Sequence, residues 1–180
     1  MKHASTTHYT ITDSNTMSYL TTTAPYVTFS GPENGIIYQK DPSGRKIPRF
    51  AARNTSSKEK SVQRLMPNGS HVPVATSTTS TLSGTTKVSM QGSKFKMEPS
   101  WEGMAFRIDM KNTPVGHLRW WPDSVGHGMT LKDVGGSTLA AYQTKSWSGK
   151  ELTMEIFAKG DDSLVEMIMV SAICLKKKLG

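Results

Sequence analysis

An antiparallel β-barrel of about twelve strands, closed around one hydrophobic C-terminal helix, is the architecture this sequence predicts. Apolar residues alternate with period two between Tyr26 and Ala158, as in strands with one face on a core and one in water. Turn-forming residues break that pattern at short intervals. The exception is a run near the end, Leu164 to Leu175, whose apolar positions go all the way round a helix. At 180 residues the chain has about the length of one domain.

Residues 1–24 open the chain as a polar arm in which eleven positions are Ser or Thr. An arm this polar cannot bury enough surface to offset its ordering entropy, so it is expected to be disordered. The barrel domain is expected to fill 25–180. Its strongest strand signals are Met104-Ala105-Phe106-Arg107-Ile108-Asp109-Met110 and Glu151-Leu152-Thr153-Met154-Glu155-Ile156. Shorter runs read as strands at 26–30, 35–40, 45–53, 61–66, 71–76, 87–91, 94–98, 117–121, 129–133 and 138–144. Between them, Asp41-Pro42-Ser43-Gly44 suits a type I turn and Asn68-Gly69 a hairpin. Gln91-Gly92-Ser93, Gly126-His127-Gly128 and Val134-Gly135-Gly136 punctuate the rest. The Ser/Thr run Thr76–Thr86 reads as a loop or a weak, exposed edge.

The helix is predicted over 162–177. Asp161 and Asp162 supply an N-cap and negative charge at its start, and Lys176, Lys177 and Lys178 complement the dipole at its end. A final strand is the alternative, which the Met-rich composition disfavours. A helix apolar on every side must be buried on every side, and four or five turns are too few to span a bilayer. A barrel of about twelve strands is too wide for its own side chains to fill, so the helix belongs in the lumen. Glu166, alone among apolar neighbours, must then meet a cation or donor, or lie at the rim.

The ending from Glu151 to Phe157 and from Asp161 to Ala172 resembles the close of the tubby C-terminal-like superfamily, which includes phospholipid scramblases and plant LURP-one-related proteins. In that superfamily a last strand pair leads into a hydrophobic helix threaded through a twelve-stranded barrel. Tyr26-Val27-Thr28-Phe29-Ser30-Gly31-Pro32 and His117-Leu118-Arg119-Trp120-Trp121 are similar to stretches of its fungal single-domain members of unknown function. The resemblance spans about residues 25–178 and implies the fold more than any activity.

Lys and Arg outnumber Asp and Glu by 22 to 14, so anionic partners are favoured. No stretch is long and apolar enough to span a membrane, and residues 1–8 carry no apolar leader, so an intracellular protein, cytoplasmic or peripheral to a membrane, is expected. One cysteine, Cys174, excludes an internal disulfide framework or a multi-Cys zinc site. It sits in the apolar run, where a lumen-facing thiol would be inert. No nucleophile elbow or phosphate loop occurs, so the protein is expected to be non-enzymatic, with neither metal nor cofactor. The weak catalytic candidates are His117, Asp123 and His127, set about a predicted hairpin; surface histidines are the commoner reading.

The basic residues are more suggestive. Strand alternation would place Arg45, Arg49 and Arg53 on one face, followed by Lys58, Lys60 and Arg64. If the two strands pair, the six would form one outward patch suited to phosphate. In tubby a cationic patch on the barrel binds phosphoinositide headgroups, and this stretch is similar in charge and approximate place. The leading expectation is therefore a barrel binding anionic phospholipid headgroups. One alternative is a small-ligand protein or enzyme with a site near His117 and His127. The other is a nucleic-acid-binding module, which the lack of an aromatic-basic sheet motif disfavours. Of Trp120 and Trp121, the first should face in and the second, beside Arg119, out.

Overall fold

Each barrel strand pairs antiparallel with the next, and the last of them returns to the first. A computed structural model describes residues 19–103, 105–123, 128–144 and 152–176. The twelve barrel strands are β2 (Val27–Glu33), β3 (Ile36–Lys40), β4 (Lys46–Asn54), β5 (Glu59–Leu65), β6 (His71–Thr79), β7 (Thr86–Met90), β8 (Ser93–Glu102), β9 (Ala105–Thr113), β10 (Gly116–Pro122), β11 (Gly128–Asp133), β12 (Thr138–Thr144) and β13 (Leu152–Ile156). They form one up-and-down meander, closed by β13 on β2 with Ile156 opposite Val27 and Leu152 opposite Gly31. Closure leaves the meander no free edge.

Two short strands were not expected. Within the predicted disordered arm, β1 (Leu20–Thr21) pairs with β14 (Ala158–Lys159), and the Tyr19 hydroxyl donates to Asp133 Oδ2 at 2.8 Å. The arm's end is thus tied to the barrel, with Tyr19 packed against the core. The predicted loop Thr76–Thr86 is also shorter than its composition implies. β6 continues to Thr79, where hydroxyls suit an exposed strand face.

The helix α1 (Asp162–Leu175) closes the chain. Asp161 is its N-cap, with Oδ1 accepting from the Leu164 amide at 2.9 Å. The eight consecutive residues Glu166–Ile173 are all buried, more than two full turns, so protein surrounds the helix on every side. Inward strand residues complete the same core: Phe29, Ile37, Val88, Phe95, Met110, Leu118, Leu131 and Met154 are each 2% exposed or less. Trp120 faces in and is fully buried; its Nε1–H donates to Ser171 Oγ at 3.1 Å, and that hydroxyl donates on to the Ile168 carbonyl at 2.8 Å. Every buried polar group in this chain of contacts therefore has a partner.

The barrel has two mouths. At the near mouth, where the helix begins, lie the β3–β4, β5–β6, β7–β8, β9–β10 and β11–β12 connections. At the far mouth, where it ends, lie the β2–β3, β4–β5, β6–β7 and β8–β9 connections.

Candidate functional site

The two strands expected to carry the basic patch do pair, with Phe50 opposite Arg64 and Asn54 opposite Lys60. Yet the six cations do not share a surface. In β5 the buried Val62 shares its face with Lys60 and Arg64, so both point into the barrel. In β4 a register shift between Ile37 and Tyr38 leaves Arg49 as an extra residue, a bulge that turns it from the outer wall toward the near mouth. Arg53 stays outside, donating to Gln63 Oε1 at 3.1 Å. Arg45 stands in the β3–β4 turn, its Nε 3.1 Å from Asp41 Oδ2, whereas Lys58 lies in the β4–β5 turn at the opposite mouth. Nine residues of strand separate those turns, about 30 Å at ~3.4 Å per residue. The single outward patch is therefore replaced by residues divided between two faces and two ends.

The inward pair has its own work. Lys60 Nζ donates to the carbonyls of Ile173 and Cys174, each at 3.2 Å, and to that of Lys176. The Ile173 and Cys174 carbonyls belong to the last turn, beyond the regular helix ladder, so a lysine 113 residues away in sequence helps to cap the helix and complements its dipole. The C-terminal lysines were expected in that role. Lys176 instead caps with its own backbone N–H to Ile173, and Lys177 and Lys178 lie outside the described residues. Burial lowers the Lys60 ammonium below the usual lysine range. At the other end, Arg64 Nε lies 2.6 Å from Glu166 Oε1 and forms an ion pair with it. Burial raises the Glu166 carboxyl above its ordinary range, against the pull of Arg64.

Outward cations gather elsewhere, on a wall the sequence analysis did not single out. The Gln91-Gly92 turn pairs Met90 with Ser93, which sets Lys87 directly opposite Lys96 and Ser89 opposite Lys94. With Thr76, Thr78 and Asn112 these residues line an open concavity of about 420 Å3 on the outer face of β6–β8. Asn112 reaches it from a left-handed backbone position, φ 64°, that asparagine tolerates. Lys111, opposite Lys96, is matched by Glu98 at 2.5 Å. Lys87, Lys94 and Lys96 pair with no carboxylate among the described residues. The register needed to see this follows from the two-residue turn: counting back from Met90 and on from Ser93 gives the Lys87–Lys96 pair.

The histidine candidates are not brought together. His117 begins β10 at the near mouth, whereas Asp123 follows its end at the far mouth, about 20 Å away at ~3.4 Å per residue. His127 lies outside the described residues. Asp123 sits instead beside Tyr142, whose hydroxyl burial and that carboxylate push up to about 12. His117 Nε2 is 3.3 Å from Asp109 Oδ1, and Arg107 Nε and Arg119 Nε each lie 3.2 Å from the same oxygen. Burial pushes the Asp109 carboxyl up, but the hydrogen bond from His117 and the charge of Arg107 outweigh it and hold it below the usual range. Three basic groups over one buried carboxylate form a cross-strand clamp. Trp121 faces outward as expected and lies under Arg107, 5.6 Å from the guanidinium carbon to the ring centre.

Among the described residues no three His, Cys, Asp or Glu side chains stand close enough to hold a metal ion. Cys174 is half-buried, its thiol pushed up by burial and away from the reactive thiolate form. No described helix is long and apolar enough to cross a membrane. No family model, no curated protein and no solved structure matches the chain.

Proposed function

We propose that this protein is a non-enzymatic barrel that binds phosphate groups, those of anionic phospholipid or phosphoinositide headgroups, through the outer wall of β6–β8. One observation carries the reading: Lys87 directly opposes Lys96, with Lys94 beside them and no carboxylate to match the three among the described residues. Like charges directly opposed across strands are destabilising, and a bound polyanion removes that cost. Ammonium groups with hydroxyls from Thr76, Thr78 and Ser89 are donors suited to phosphate oxygens.

A surface-bound ligand is favoured by two apolar tips at the far mouth. Leu82 in the β6–β7 loop is 100% exposed and Trp101 on β8 is 68% exposed. Gly84 of that loop lies against Pro99, so the two tips stand on neighbouring segments of the same mouth. An exposed Trp and Leu at one mouth of a basic barrel fit a protein lying at a lipid interface. Twelve strands around a hydrophobic helix also fit the tubby-like kinship that the resemblance implies, and we keep that kinship within this proposal.

Flotation with phosphatidylcholine vesicles, with and without a phosphoinositide, tests the reading. Binding is expected only to the phosphoinositide vesicles and should weaken with salt. At about 1 kcal/mol per lysine, the triple variant Lys87→Gln, Lys94→Gln, Lys96→Gln should bind about a hundredfold more weakly. Lys87→Gln alone should at the same time raise folding stability by ~0.2–1 kcal/mol, since it removes a like-charge pair. Failure of both vesicle types to bind would sink the proposal, and tight, salt-dependent retention of oligonucleotides would replace it with the nucleic-acid reading.

A further inference from the structure

We infer that the near mouth holds a second binding site, for a small monocarboxylate with an apolar body. The site is a cavity of about 440 Å3 between the first turn of the helix and strands β2 to β5, within the size range of small-molecule sites. Its lining is mixed, with Val27, Phe29, Leu65 and Val165 forming an apolar side. Gln39, Arg49, Arg64, Asp162 and Glu166 supply its polar side.

Their charges are unevenly matched. Arg64 is taken up by Glu166. Arg49 donates through Nε to the neutral Gln39 Oε1 at 2.7 Å, and among the described residues no carboxylate pairs with it. Its two terminal nitrogens present the parallel donors that a carboxylate accepts bidentately. The bulge that aims Arg49 here interrupts the β3–β4 ladder, and bulges of this kind commonly re-aim side chains beside sites.

The same groups set the ligand's charge. Asp162 and Glu166 line the cavity and disfavour a dianion, whereas one negative charge matches the one unmatched guanidinium. Arg49 is exposed at the rim and Phe29 is buried, so the carboxylate would stay at the opening and the apolar body would descend. This cavity lies apart from the lysine wall, so the two sites can be separated by experiment.

Calorimetric titration of the full chain with linear monocarboxylates from butyrate to decanoate, each beside its alcohol, tests the site. Affinity is expected to climb with chain length until the cavity is filled and then to level off. Each alcohol should bind at least about tenfold more weakly than its acid, because it forfeits the charged hydrogen bonds. Arg49→Gln should lower acid affinity by about the same factor, whereas Arg53→Gln on the outer wall and the triple lysine variant should leave it unchanged. Octyl phosphate should bind no more tightly than the matching acid. Absence of saturable binding at every length overturns the proposal, as do alcohols binding like acids, octyl phosphate binding more tightly, or an unaltered affinity in a folded Arg49→Gln protein. The comparison of acid with alcohol needs no variant, so it holds even if Arg49→Gln fails to fold.

Discussion

Ile168→Ala is expected to destabilise the protein by about 3–5 kcal/mol, the upper part of the range for a buried Ile shortened to Ala. Ile168 is fully buried in the middle of the helix, with core on every side. How much such a change costs depends on how far the surroundings can collapse into the space left behind. Here they are held apart. The girth of a closed barrel is set by its strand number and register, and contraction would break ladder hydrogen bonds all the way round. Urea unfolding of Ile168→Ala measures the loss, with Val134→Ala as the comparison, a position 76% exposed whose change should fall within about 0.5 kcal/mol. A loss under about 1 kcal/mol at Ile168 would mean that the helix does not fill the lumen as described.

The barrel and its plug were legible for one reason: both leave period signals that survive in the sequence alone. Period two placed all twelve barrel strands, and a run apolar on every side required enclosure. The same periodicity also held information that went unused. In Lys60-Ser61-Val62-Gln63-Arg64 the only apolar residue shares its face with both cations, so Val62 already implied that Lys60 and Arg64 turn inward. The need of Glu166 for a cation was the matching clue from the helix.

Arg49 could not be read this way, because a one-residue bulge reverses facing and leaves no mark in the alternation. The tie between Lys60 and the helix end depends on how far the helix penetrates, which closure of the barrel decides. The lysine wall was half legible. Its central hairpin follows from Gln91-Gly92, but Thr76 and Asn112 join it only through the neighbouring strands.

Arg64→Met should destabilise the protein by about 1–3 kcal/mol at pH 7.5, because it leaves a largely buried carboxylate without its cation. The figure lies below that for a fully buried pair: the Arg64 side chain is 39% exposed, so solvent already screens part of the interaction, while Glu166 is only 12% exposed. The sign of the pH dependence follows from the carboxyl. Burial holds Glu166 above its ordinary value near 4.5 even with Arg64 present, so the folded state takes up its proton more readily than the unfolded chain. The contribution of Glu166 to stability is therefore fully present below the ordinary value and is lost as pH rises through the higher folded value. Without Arg64 the folded value climbs further and the loss deepens. The deficit of Arg64→Met relative to wild type should then be largest at neutral pH and should shrink as pH falls toward 4.5. Adding Glu166→Gln removes the charge that needed a partner, so the double variant should regain most of the stability and lose the extra pH dependence. Urea unfolding of all three proteins at pH 4.5 and 7.5 decides the matter. A double variant no more stable than Arg64→Met at pH 7.5 would show that Arg64 matters for its packing and not for the charge beneath it.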